Sequence, residues 1–147
     1  MTPLLPAYDS LLTAPSPAVL TTYRRDGSAL TSPVWFRRHH DVLEVVIAAG
    51  DIKLKHLLRR PECSLTVFEA VPPFRGVTAE QRPELVPGDV TETRLAIATR
   101  YLGTELGRAF AQQRKPDGTI LRFDLADVRA WDLSAILPSD PNEAPEA

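Results

Sequence analysis

A single cysteine, a single methionine and only three histidines leave this chain short of the side chains that usually build disulfides, metal sites and covalent catalysis. Cys63 cannot form an internal disulfide. Its place in the apolar run Cys63-Ser-Leu-Thr-Val-Phe68 marks it as a small core residue rather than a nucleophile. His39 and His40 fall in a polar turn, which leaves His56 without partners, so no metal is expected. Net charge is also low. A value of −2 over 147 residues lacks the basic balance of a dedicated nucleic-acid binder, and nucleic acid is not expected as a partner. No apolar run approaches the ~20 residues of a membrane-spanning helix, and the N-terminus carries no basic-then-apolar signal pattern. The expectation is a cytoplasmic protein without a membrane partner. Also missing are Gly-x-Ser-x-Gly, Gly-x-Gly-x-x-Gly after a strand, the P-loop and His-Glu-x-x-His. With no nucleophile–base pair in view, catalytic residues stay unassigned, and the reactivity of an enzyme built this way would come from a cofactor.

Lysine is scarce as well, three against fourteen arginines. Two of the three nevertheless stand in Lys53-Leu-Lys-His-Leu-Leu-Arg-Arg-Pro61, between two strand-like runs. This basic helix, entered through Gly50-Asp51, has two readings. Lys53 and Lys55 form an anion seat with the first-turn N–H groups, or they are solvated helix charges. Charge is unevenly spread: residues 20–61 hold eight Arg/Lys against four Asp/Glu, and residues 62–147 hold nine against fourteen. An anionic ligand would meet the first of these stretches.

The elements follow from the pattern of apolar residues and breakers. A helical turn over Tyr8–Leu12 precedes a strand at 18–23, and Asp26-Gly27 turns the chain into a second strand over 28–36. After the turn at residues 37–41, a strand at 42–48 completes a three-stranded meander. A helix at 51–60, capped by Asp51, stops at Pro61. Strands at 62–70 and 74–86 follow, the second carrying Pro83, which implies an edge or a bulge. Helices at 89–102 and 104–114 and strands near 119–125 and 128–133 close the domain. The domain is expected over residues 1–137, with a disordered Pro/Glu/Asp/Ala tail at 138–147. This pattern indicates a mainly β fold (β+α), a closed or nearly closed antiparallel barrel of about six strands with short flanking helices. Within it Ser32-Pro-Val-Trp-Phe36 stands out, with Pro33 interrupting a strand or placing it at an edge. Trp35 is either ordinary core or the wall of a pocket for a flat heterocycle.

Ala18-Val-Leu-Thr-Thr22, Asp26-Gly27, Ser32-Pro-Val-Trp-Phe36 and Lys53-x-Lys-His-Leu with Pro61-x-Cys-Ser-Leu65 occur here in one order. With Phe74-Arg-Gly-Val77, Arg100-Tyr-Leu-Gly103 and Val128-Arg-Ala-Trp-Asp132, the chain resembles the flavin/deazaflavin split-barrel superfamily over roughly residues 5–135. That superfamily includes pyridoxamine 5′-phosphate oxidase-like proteins and oxidoreductases dependent on the deazaflavin coenzyme F420. The resemblance implies a six-stranded antiparallel split β-barrel (the FMN-binding split barrel), assembled as a homodimer with cofactor sites at the subunit interface. It implies a cofactor phosphate on Lys53 and Lys55 with His56 beside them. Ser32, Pro33, Val34 and Trp35 would line the ring, with Ile47 and Ala48 on the neighbouring strand. Arg75, Arg100 and Trp131 become candidates for completing the partner's site. Where the oxidase branch has Ser-Arg-Lys, this chain has Asp51-Ile52-Lys53, a departure that favours F420 over FMN. The implied function is an enzyme, an F420-dependent oxidoreductase passing hydride between a deazaflavin and a small conjugated organic substrate. Two alternatives share the same pocket: an FMN-binding oxidase-like flavoprotein, and a non-catalytic flavin or tetrapyrrole carrier or sensor.

Overall fold

The computed structural model describes residues 6–138, so the expected tail, apart from Pro138, lies outside the described residues. After the short helix α1 (Asp9–Thr13) come strands β1 (Ala18–Tyr23), β2 (Ala29–Val34), β3 (Arg37–His39) and β4 (Val42–Ala48). Helix α2 (Ile52–Arg59) leads to β5 (Cys63–Phe68), β6 (Gly76–Gln81) and β7 (Glu84–Asp89). Helices α3 (Thr91–Leu102) and α4 (Thr104–Gln112) form a hairpin, followed by β8 (Asp117–Asp124) and β9 (Arg129–Trp131). Among the described residues, no helix is long and apolar enough to cross a membrane.

These nine strands form two sheets and not one closed barrel, which corrects the expected six-strand count. One sheet has the order β2-β1-β5-β6-β9 and the other β3-β4-β8-β7, with antiparallel pairing throughout. The fold is mainly β with a few helices. Alternation with a period of two sends Leu20, Leu65, Val67, Val77 and Ala79 from the first sheet toward Leu43, Val45, Ile47, Leu121 and Phe123 from the second. Leu11, Leu12 and Leu57 from the helices complete this core. Burial of each large side chain contributes about 1.5–3 kcal/mol.

Two expected strands each break where the chain changes sheets. The strand expected over 28–36 ends at Val34, so the three-stranded meander does not form. β2 pairs with β1 at the edge of the larger sheet, where Pro33 needs no donor, while β3 pairs with β4 in the other. At the corner Phe36 is fully buried, and its backbone groups are met by side chains of α3. Its N–H donates to Tyr101 Oη at 3.4 Å, and its carbonyl accepts from Arg100. With those groups satisfied, the backbone is free to leave the ladder. The strand expected over 74–86 splits in the same way at Arg82-Pro83. There the Gln81 amide donates to the carbonyls of Asp124 and Asp127 and accepts from the N–H of Asp124, standing in for a strand partner. Sheets joined by strands that bend from one into the other are a common way to turn a corner without a closed barrel.

Local chemistry fixes the remaining turns. Gly27, at φ 88°, makes the hairpin between β1 and β2, and Asp26 accepts from both the N–H and the hydroxyl of Ser28. Those hydrogen bonds hold the Asp26 carboxyl below its ordinary range. Gly76 on β6 is the floor on which Trp131 of β9 lies, since a Cβ there would fall 2.0 Å from the indole. Trp131 is thus committed to its own sheet.

Candidate functional site

The outward face of the four-stranded sheet carries the row Val86–Ile120–Val46, set side by side by strand register. Where this face meets the end of β2, the start of α2 and the α3–α4 hairpin, it leaves a cavity of ≈ 250 Å³. Pro33, Val34 and Trp35 form one wall, Val46 and Ala48 the floor, and Asp51 and Lys53 the entrance to α2. Arg94 and Ile97 from α3, Phe110 from α4 and Arg114 just beyond it close the opposite side.

Trp35 is held firmly. Its indole stacks on Tyr101 with centroids 5.2 Å apart and planes 12° from parallel, and it meets Phe110 at 4.9 Å with a 46° tilt. Tyr101 is anchored in turn by its hydroxyl, which donates to the Ser16 carbonyl, and burial raises its pKa above the ordinary phenol value. These contacts set a rigid aromatic edge along the cavity.

The charged residues are arranged less simply than their sequence pattern suggests. Asp51 caps α2 by accepting from the Lys53 N–H at 2.9 Å, and its other oxygen lies 3.0 Å from Lys53 Nζ. The Lys53 ammonium thus already has a counter-ion. Across the cavity, Arg94 is only 5% exposed and donates through Nη1 to the Lys115 carbonyl at 2.7 Å. Burial first, and then the neighbouring Arg114, push the Arg94 pKa down, while Asp117 and Asp89 act in the opposite sense. Arg114 lies with its guanidinium carbon 3.3 Å from the Phe110 ring centroid and donates to the Phe110 carbonyl. Among the described residues, neither arginine has a carboxylate within 4.0 Å.

Of the residues singled out in the sequence, the cavity brings together Pro33, Val34, Trp35, Ala48 and Lys53. Ser32 sits on β2 opposite Leu20, and Ile47 points the other way, into the core at 2% exposure. Lys55 is exposed on α2, two residues and therefore ~200° around the helix from Lys53, and does not line the cavity. His56 is buried, with Nδ1 2.9 Å from the Thr22 hydroxyl, and ties α2 to β1. Arg75 is occupied by Glu69 at 2.8 Å and by the Ala7 carbonyl. Arg100 donates to the carbonyls of Phe36, Thr13 and Ala14. Sequence reasoning missed Val46, Arg94, Ile97, Phe110 and Arg114. Two signals were present in the sequence. Strand alternation puts Val46, not Ile47, on the face of Ala48. Arg94 also stands among Val90, Ile97 and Ala98 on the apolar stripe of α3, where a charge needs a reason. Among the described residues no three His, Cys, Asp or Glu side chains gather as a metal site would require.

Solved structures share this fold at low sequence identity. One named F420 reductase is similar at 22% identity and a TM-score of 0.67, covering 86% of this chain and 98% of that one. A conserved hypothetical protein from Mycobacterium tuberculosis is similar at 20% identity and a TM-score of 0.69, covering 92% and 89%. A pyridoxamine 5′-phosphate oxidase-related, FMN-binding protein from Nostoc punctiforme is similar at 14% identity and a TM-score of 0.57, covering 80% and 74%. No curated protein matches in sequence. The chain also matches a family profile described as pyridoxamine 5′-phosphate oxidase. That profile matches residues 4–132, nearly the whole chain, and the chain belongs to this family.

Proposed function

We propose that this chain is an oxidoreductase dependent on coenzyme F420, acting as a homodimer on a small conjugated organic substrate, with the cofactor seated in the cavity bounded by Trp35 and Lys53. The observation that carries this reading is the composition of that cavity. A rigid aromatic edge of Trp35 and Phe110 stands beside three cationic side chains, Lys53, Arg94 and Arg114, with Asp51 as their one carboxylate. Such a lining suits a flat, conjugated and anionic ligand.

The residues present fit a flavin-type group. Pro33, Val34 and Trp35 offer a flat apolar wall, Val46 and Ala48 a shallow floor, and Lys53 with the arginines a place for a phosphate or carboxylates. When bound, a deazaflavin supplies hydride transfer, chemistry that none of the lining side chains provides. The protein's part is to bind, to orient and to exclude water from the Trp35 side. At ≈ 250 Å³ the cavity falls just below the ~300–1,000 Å³ of ordinary ligand pockets, so a second protomer closing the open sheet face would complete it. The likeness to a structure named F420 reductase supports the choice of cofactor, as does Asp51. Its carboxylate competes for Lys53 and so weakens a compact FMN phosphate seat, while a longer tail bearing several carboxylates can reach the arginines beyond it.

A second reading, an FMN-binding flavoprotein, is favoured by the likeness to an FMN-binding relative. Titrating F420 and FMN separately into the purified protein, at low and high salt, separates the two. F420 is expected to bind more tightly, with its advantage shrinking as salt rises. Tighter FMN binding in both conditions, or FMN co-purifying stoichiometrically, replaces the first reading with the second.

A further inference from the structure

We propose that Arg94 and Arg114 form an oxyanion-binding subsite on the α3–α4 side of the cavity, which receives a phosphate or carboxylate of the bound ligand across the cavity from Lys53. The inference deepens the cofactor reading above and rests on it for the identity of the ligand, but the subsite itself stands on three separate observations.

The first is burial without a direct ion pair. Arg94 lines the cavity at 5% exposure, and among the described residues no carboxylate lies within 4.0 Å of it. A guanidinium carries five N–H donors, and the described residues use one of them, toward the Lys115 carbonyl. The remaining donors are not sealed off from solvent and so face the open cavity, where an anion can reach them. The second observation is like-charge proximity. Arg114 lies close enough to depress the Arg94 pKa, and both line the same cavity. Two cations sharing a cavity repel until an anion lies between them, which makes the pair selective for one. The third is preorganisation. Arg114 lies over the Phe110 ring and donates to that residue's carbonyl, and Phe110 in turn rests against Trp35. Its fork is therefore held in place before a ligand arrives, as bidentate recognition of a phosphate or carboxylate requires. Lys53 by contrast is already paired with Asp51 at 3.0 Å. The unsatisfied positive charge of the cavity lies on the helical hairpin.

The oxyanion could belong to the cofactor or to a carboxylated substrate bound beside it, and suitable probes tell these apart. Inorganic phosphate, titrated at constant ionic strength against chloride and followed by calorimetry, tests the subsite without any cofactor. FMN against riboflavin, which differ only by the phosphate, tests the cofactor's share. Benzoate, added to the flavin-loaded protein, tests the substrate's. The variants are Arg114→Gln, at an exposed position where folding is not at risk, and Arg94→Lys, which keeps the charge but loses the fork. Wild type is expected to bind phosphate saturably, and both variants to weaken it at least tenfold. If the variants also lower FMN affinity tenfold and leave riboflavin unchanged, the subsite holds the cofactor's anion. If FMN is unaffected and benzoate binding is lost, it holds the substrate's. Phosphate binding that disappears in the variants, in a protein that binds no flavin or deazaflavin, keeps the subsite and removes the cofactor reading. Flavin binding with no saturable phosphate or benzoate site, and variants equal to wild type for every probe, overturns the subsite and leaves the cofactor reading in place.

Discussion

Lys53 and Asp51 act as one unit in the structure, because the carboxylate that caps α2 also holds the ammonium at its mouth. This gives the two positions opposite expected effects on an anionic ligand. Lys53→Ala removes a charge-assisted contact and leaves Asp51 facing the ligand, so affinity for F420 or FMN should fall by about 1.5–3 kcal/mol, roughly ten- to hundredfold. Asp51→Asn keeps the helix cap and frees the ammonium, so affinity should rise roughly three- to tenfold. Fluorescence titration measures both, and a loss with Asp51→Asn would mean that the carboxylate serves the ligand directly. Cys63 calls for a different experiment. Burial in β5 pushes its thiol up to about 12 from an ordinary value of 9.0, so the folded protein keeps it protonated where the unfolded chain does not. A group with a raised folded pKa contributes stability that is full below the unfolded value and is lost as pH climbs toward the folded one. Unfolding free energy should therefore decline between about pH 9 and about 12. Maleimide at pH 8 should label the native protein far more slowly than the denatured one, and equal rates would refute the burial argument. The core role of Cys63 was legible from its apolar neighbours. The pairing of Lys53 with Asp51 was not, because a capping residue can turn its second oxygen in several directions.

Helix α3 organises more of the molecule than its sequence suggested, chiefly through Arg100. Its guanidinium donates to the carbonyls of Phe36, Thr13 and Ala14, and so joins α3 to the end of α1 and to the corner between β2 and β3. Burial lowers its pKa, but three carbonyl acceptors make the charged form tenable. Arg100→Met keeps much of the packing and removes every donor, and should destabilise the fold by about 2–4 kcal/mol. Urea unfolding gives that difference, and a loss under about 1 kcal/mol would mean that the carbonyls find water instead. Within one chain, then, the Arg100 guanidinium is engaged by these carbonyls. Element positions were largely legible: β1 and β4 fall where alternation placed them, α2 lies within the stretch from its N-cap to Pro61, and Gly103 separates α3 from α4. The two sheet-changing corners were not, since both look like strand in sequence: at one, side chains of α3 meet the backbone of Phe36, and at the other, the Gln81 amide binds the backbone of Asp124 and Asp127.

At the scale of the whole molecule, the outward face of the four-stranded sheet is the part a single chain leaves unfinished. The row Val86–Ile120–Val46 is half-buried, and Ile52, Leu58, Leu95 and Leu106 stand exposed on α2, α3 and α4. A second copy in a two-fold arrangement would cover such a surface, as the proposed function requires. Light scattering at micromolar concentration should give twice the 16.2 kDa of one chain, and Val86→Glu, on the edge strand of that face, should yield a monomer with weakened cofactor affinity. A wild-type monomer that still binds F420 would remove the shared site. The sequence by itself determined the family and the mainly β character, because turn residues, strand alternation and helix caps act over a few neighbours and leave their mark locally. It also named one wall of the cavity, since Ser32-Pro-Val-Trp-Phe36 is a continuous segment. The tertiary structure decided how strands divide between two sheets, which of two adjacent residues faces the cavity, and that Arg94 and Arg114 meet Trp35 and Lys53 across it. Those outcomes depend on contacts between residues some forty to eighty positions apart, whose geometry is set by packing and by where buried charges find partners, and no local pattern records either.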